Sequence, residues 1–283
     1  MEGLIITADD YGMSLAVNQA INEGIECGLI TSTNVMVGMD NSQDAAFLRQ
    51  KYPNISVGIH WTLSAGKPVS RPEDIPSLID SNGKFYNYQD FRERYRSNDI
   101  KEDEIIIELK NQYERFCSLC GKPDYWNTHQ NIHVEFKLFR LFVKCAKSLG
   151  INKMRSHQRV YIKPKCGKMT FPLKWRLQEP IKLFIIHYWK ILAHKNGIAS
   201  PDGIVILLNE KDKVDLDYIF GSLSLKTIEF AEYVIHPAVK IDSEYFGTIS
   251  DNRITEYKQF TSSNTIRLIR NRKINLVNFN QFK

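Results

Sequence analysis

Two adjacent carboxylates, Asp9 and Asp10, follow an apolar run at residues 4–8, and single histidines follow later apolar runs at His60, His129 and His236. Adjacent aspartates can divide labour, one holding a cation while the other takes a proton from water. The plain alternative is a solvated turn or a helix cap. His129 and His133 stand four residues apart, which puts both on one face if the stretch is helical, and imidazole is the commonest metal-ligating side chain. An aspartate with two histidines gives mixed oxygen and nitrogen ligation with positions left open for water, the equipment for hydrolysis. His236, stiffened by Pro237, is a candidate acid for a leaving group. Arg155 suits binding a carboxylate or steadying a catalytic aspartate, with a structural ion pair as the plain alternative. His157, His187 and His194 lie in or beside a basic stretch and read as non-catalytic.

Positioning these groups requires a framework that brings many strand ends together. The runs at 4–8, 34–37, 55–61, 125–128, 153–155, 203–208 and 231–235 read as strands, and a last one is expected at 274–277. Between them lie helix patterns: one capped by Ser14 and closed by Gly28, a short one at 44–50, and clear ones at 101–119, 136–149 and 262–272. Residues 64–100, with Pro68, Pro72, Pro76 and Gly83, read as a long excursion. About seven strand–helix units without a break favour one α/β domain over the whole chain, 1–283, either a barrel or a doubly wound sheet. In both, catalytic groups collect where parallel strands end, and that is where Asp9, Asp10, His60, His129, Arg155 and His236 all fall.

The chain has 283 residues and a net charge of +6, and the charge is unevenly placed. Residues 153–195 carry 11 basic side chains and one acid, Glu179, while the remainder carries 27 basic and 31 acidic. One segment is basic and the protein is not, which argues against nucleic acid as a partner. From Ile181 onward this segment reads as a helix apolar nearly all round, interrupted by His187, Lys190 and His194. It is expected to be a basic, aromatic-rich insertion at about 156–200, with 171–195 a buried or dimer-interface helix edged by lysines, or a surface helix touching an anionic membrane through Trp175, Tyr188 and Trp189. Five cysteines include one C-x-x-C pair, Cys117 and Cys120, inside a predicted helix, where packed thiols are expected. No basic n-region precedes a long apolar stretch, and no run reaches membrane-spanning length, so a cytoplasmic protein is expected.

The residues also carry a family resemblance. The stretch from Ile5 to Ser14, ITADDYG within it, followed by Gly28-Leu29-Ile30-Thr31-Ser32-Thr33-Asn34, resembles the opening of the YdjC-like carbohydrate deacetylases. Gly58-Ile59-His60-Trp61-Thr62-Leu63 is similar to the family's second block, and Thr128 to His133 to its histidine-rich third. Met154-Arg155 and Val234-Ile235-His236-Pro237 resemble later, shorter blocks. The resemblance implies a (β/α)-barrel-like fold and metal-dependent removal of an acetyl group from an N-acetylated sugar. It assigns the metal, magnesium or zinc, to Asp10, His60 and His129, the general base to Asp9 and the acid to His236. It places His133 beside the metal as a ligand or substrate contact, and Arg155 is grouped with it as substrate-binding. One departure stands out: relatives usually read Asp-Ser-His-x-His-x-His in the third block, whereas here Asn127, Thr128 and Asn131 replace the Asp, the Ser and the middle His. Asn127 lacks the negative charge that raises the basicity of a ligating histidine. The competing classes are another metal hydrolase, such as a phosphoesterase, and a non-catalytic sugar-binding relative.

Overall fold

A computed structural model describes residues 1–166 and 173–282. In chain order the elements are β1 (Gly3–Tyr11), α1 (Leu15–Glu26), β2 (Ser32–Val35), α2 (Leu48–Lys51), β3 (Ser56–Trp61), α3 (Tyr88–Arg96), α4 (Glu102–Cys120), β4 (Trp126–Thr128), α5 (Phe136–Ser148), β5 (Arg159–Ile162), α6 (Leu173–Lys195), β6 (Gly203–Leu207), α7 (Leu216–Ser224), β7 (Phe230–Ile235), α8 (Ser250–Phe260), α9 (Ser263–Asn271) and β8 (Leu276–Val277).

β1 is buried along its whole length, as its near-continuous apolar composition requires of a strand covered on both faces. It lies at the centre of a parallel sheet of order β4-β3-β2-β1-β7-β6-β5. β8 also pairs with β1, at Leu4 and Ile5, below the point where β2 begins pairing at Thr7. Helices alternate with the strands, so this is one α/β domain whose curled sheet forms a half-barrel. Between β4 and β6, Met154 bridges Trp126 and Lys153 bridges Ala199. The expected strand at 153–155 is therefore only a pair of isolated bridges. The paired strand comes later, at β5, where burial alternates along Arg-Val-Tyr-Ile and the apolar signal is halved. β5, within the stretch 156–200, belongs to the main sheet.

Ser14 caps α1, its side chain accepting from the Val17 amide. The excursion at 64–100 contains an unforeseen helix, α3, in which only Phe91 and Tyr95, four residues apart, are buried. Two anchors among seven mostly charged residues give too little periodicity to read. The 44–50 pattern begins as a tight 3₁₀ turn, Ser42–Phe47, before the single turn of α2. Cys117 and Cys120 are free thiols in the last turns of α4, as expected of packed cysteines.

α6 carries apolar side chains on both its buried and its open side. Ile186, Trp189 and Ala193 are buried, and Trp189 stacks on Phe139 of α5 with ring centroids 4.9 Å apart. Ile181 and Phe184 lie on the open side, 62% and 74% exposed. Phe171 and Pro172, at the head of the basic stretch, lie outside the described residues, as does the side chain of Trp175. Among the described residues no helix is long and apolar enough to cross a membrane.

Candidate metal centre and its flanks

The site begins with an irregularity at the end of β1. Its register against β2 slips between Ala8 and Tyr11, and Asp10 adopts a left-handed φ of 75°, unusual for a non-glycine residue. A bulge of this kind re-aims side chains that a regular strand would send to opposite faces. The turn continues through Gly12 at φ 98°, where a Cβ would stand 3.0 Å from the Ser42 Cα. Asp9 and Asp10 consequently both reach the mouth at the C-terminal strand ends, and both are almost fully buried.

Asp10 Oδ1 lies 3.3 Å from His60 Nε2, at the end of β3, and 3.1 Å from His129 Nδ1, just after β4. One atom from each of the three lies within 4.8 Å of the others, and all three residues are buried. The set fits a divalent metal: one carboxylate oxygen and two imidazole nitrogens, with His129 Nε2 buried and unpartnered among the described residues. Asp10 Oδ2 is taken by Arg253 Nη2 of α8 at 2.6 Å. Burial alone raises the Asp10 carboxyl, but Arg253 and the two histidines outweigh it and hold it well below the usual carboxylate range.

Asp9 stands in a different setting. Arg155 grips both its oxygens, at 2.6 and 2.7 Å, and Asn34 Nδ2 donates to Oδ1 at 2.5 Å. Arg155 also binds Glu232, in the middle of β7, at 3.0 and 3.1 Å. Burial raises Asp9, and Arg155 overrides it so that the carboxyl is held far below its ordinary value. His236 follows β7 with Nε2 3.7 Å from Asp9 Oδ2, and its side chain is 29% exposed, the most open of the group. Desolvation pulls His236 below its ordinary value, opposed in part by Asp10 and Asp9.

The structure thus brings Asp9, Asp10, His60, His129, Arg155 and His236 together, and sets His133 apart. The stretch His129–Val134 is a 3₁₀ turn broken by left-handed Gln130 and Asn131, so the two histidines do not share a helical face. His133 is 1% exposed, bonded through Nδ1 to Thr128 Oγ1, and its Nε2 meets His157 Nε2 at 2.5 Å. Trp126 and Phe142 pack around its ring. Arg155 is 4% exposed with Nε, Nη1 and Nη2 all engaged. Each of these nitrogens has a partner within the protein, and for Arg155 the partners include Asp9, an aspartate of the kind it was expected to steady, the alternative being a substrate carboxylate. Asn34, Glu232 and Arg253 went unread in the sequence. A lone acid within the apolar strand around residues 231–235 was a usable signal for Glu232; Arg253 sits on a helix that carries no clear pattern.

Residues 3–271 match the family model described as YdjC-like protein. A protein from Clostridium beijerinckii named carbohydrate deacetylase is 29% identical over 98% of both chains. One from Proteus mirabilis named chitooligosaccharide deacetylase is 34% identical over 95% of this chain and 94% of its own. Among solved structures, an Enterococcus faecalis protein, provisionally assigned to cellobiose-phosphate cleavage, shares the fold with a TM-score of 0.75 and 24% identity, covering 99% of this chain and 98% of that one.

Proposed function

The chain belongs to the YdjC-like protein family, and from that premise we propose that it is a metal-dependent hydrolase removing an acetyl group from an N-acetylated sugar. The names of the Clostridium and Proteus relatives support the reaction class. The observation that carries the reading is the meeting of Asp10, His60 and His129 with Asp9 and His236 at one mouth.

A divalent metal such as magnesium or zinc, held by Asp10, His60 and His129, would supply Lewis-acid chemistry, polarising an amide carbonyl and acidifying water. Asp9 is the base that accepts the proton of the attacking water. Arg155 and Asn34 fix its orientation and keep it ionised. His236, on the open side of Asp9, donates a proton to the departing sugar amine. Arg155 is a positioning residue for Asp9 rather than a substrate contact, and His133 is part of the packing beneath the site.

The test is acetate release from a panel of N-acetylated oligosaccharides and lipid- or nucleotide-linked sugars, before and after chelation and with metal restored. Release that disappears on chelation and returns with zinc or magnesium is expected. A metal-loaded protein that frees no acetate from any member, or that instead frees phosphate from phosphate esters, would overturn the reading.

A further inference from the structure

Asn127, in β4, lies beside His60, Asn34 and Arg155, and these surroundings dictate how its carboxamide is oriented. One terminal atom of the amide lies 2.6 Å from His60 Nδ1. The other faces Asn34 Nδ2 at 3.0 Å and Arg155 Nη1 and Nη2 at 2.9 and 3.0 Å. A guanidinium has no acceptor. Asn34 Nδ2 is fixed as a donor because it bonds Asp9 Oδ1 while its own oxygen receives the Asp10 amide. Three donors converge on that second atom, so it is the carbonyl oxygen, and the NH₂ group faces His60.

An N–H aimed at Nδ1 requires a lone pair there, which leaves the imidazole hydrogen of neutral His60 on Nε2. Nε2 in turn faces Asp10 Oδ1 at 3.3 Å, whose partner oxygen is held by Arg253. The chain of donors and acceptors from Arg155 through Asn127 and His60 to Asp10 is complete without a metal. A protonated Nε2 has no lone pair to give one.

Building on the metal-dependent reading above, we propose that Asn127 is a positioning residue that locks His60 in the Nε2–H tautomer and so weakens metal capture at this site. For His60 to ligate through Nε2, its hydrogen must move to Nδ1 and the Asn127 amide must rotate. Rotation turns its NH₂ into the Arg155 and Asn34 donors. A carboxylate at 127 would accept from His60, Asn34 and Arg155 together and remove the conflict. The consequence is a site filled according to the metal available rather than one loaded permanently.

The experiment uses the full chain in three forms: wild type, Asn127→Asp and Asn127→Ala. With ring-¹⁵N histidine in the metal-free protein, the two-bond ¹H–¹⁵N spectrum reads which nitrogen of His60 carries the hydrogen; His60→Gln assigns the signal. Nε2–H is expected in the wild type and Nδ1–H in Asn127→Asp. Zinc affinity, measured by competition with a chelator, is expected to rise about 10–100-fold in Asn127→Asp, the range over which such outer partners act. It should rise by a smaller factor in Asn127→Ala, which removes the opposing N–H without adding charge. Added charge alone would tighten zinc in Asn127→Asp but leave the tautomer where it was. A wild-type His60 already protonated at Nδ1, or zinc bound equally by wild type and Asn127→Asp, overturns the proposal and leaves the deacetylase reading standing. No zinc binding by any of the three sinks both.

Discussion

Asp9 and Asp10 are neighbours in sequence, equally buried, and each is held by one buried arginine, yet the two arginines hold them differently. Arg155 spans both oxygens of Asp9 and is itself shared with Glu232. Arg253 takes only Oδ2 of Asp10 and leaves Oδ1 to the histidines, while its own Nε and Nη1 find no partner among the described residues. A two-pronged grip on Asp9 removes the lone pairs that face the protein and leaves a carboxylate fixed in place but outside the cluster of ligand atoms. A one-pronged grip on Asp10 turns its free oxygen toward His60 and His129. Two identical side chains thereby acquire separate settings, and the bulge aims both into one mouth.

The comparison breaks most visibly at the carboxylates themselves. Asp10→Ala should lose zinc binding and acetate release together, as seen by chelator competition and by the acetate assay. Asp9→Asn should keep zinc at its wild-type affinity while kcat falls by about 10²–10⁴, the usual share of a positioned proton acceptor. An Asp9→Asn protein that bound zinc as wild type and worked at full rate would end the base assignment. The arginines give a smaller, crossed pattern. Arg253→Lys keeps the charge but disturbs the orientation of Asp10, and should weaken zinc binding by about 10–100-fold. Arg155→Lys should lower kcat without weakening zinc binding, because a single ammonium cannot span both oxygens of Asp9 and loss of the guanidinium frees the Asn127 amide from two of the donors that oppose zinc. If both variants weakened zinc equally, the two flanks would not be distinct. Thermal melts of the same samples separate these effects from a loss of folding.

Much of this division was legible in the sequence and part of it was not, for physical reasons. The aspartates, His60 and His236 announce themselves because each lies at the end of a strongly apolar strand, His129 follows the short strand β4, and parallel strands gather their ends. The shared location carried more than the types did. The i, i+4 spacing of His129 and His133 misled, because two left-handed residues, Gln130 and Asn131, break the turn that would have put both on one face. β5 was hidden by its alternation, and α3 by having two apolar anchors in a charged stretch. The partner arginine of Asp10 was hardest to see. Arg253 reaches Asp10 across 243 residues of chain, from a helix whose side chains give little hint of a buried face. Long-range pairing of that kind leaves no local pattern.

The smallest expected effect concerns the sharing of Arg155. Glu232 lies 0% exposed in the middle of β7, and burial, only partly offset by Arg155, raises its carboxyl above the ordinary range. A raised acid favours the folded state while protonated, so its contribution is fully present below the unfolded-state value and is lost as pH rises through the folded one. Glu232→Gln mimics the protonated form and keeps an acceptor for Arg155, so it should lack that loss. The melting temperature of the variant relative to wild type is therefore expected to improve from acid toward neutral pH. Its kcat should fall by less than about tenfold, under the range for groups bonded directly to a ligating or reacting side chain, because both of the bonds from Arg155 to Asp9 survive. A relative melting temperature that worsens as pH rises would mean that the ionised Glu232 supports Arg155 more than its burial costs, and that the clamp on Asp9 is a three-body unit and not a pair with a spectator.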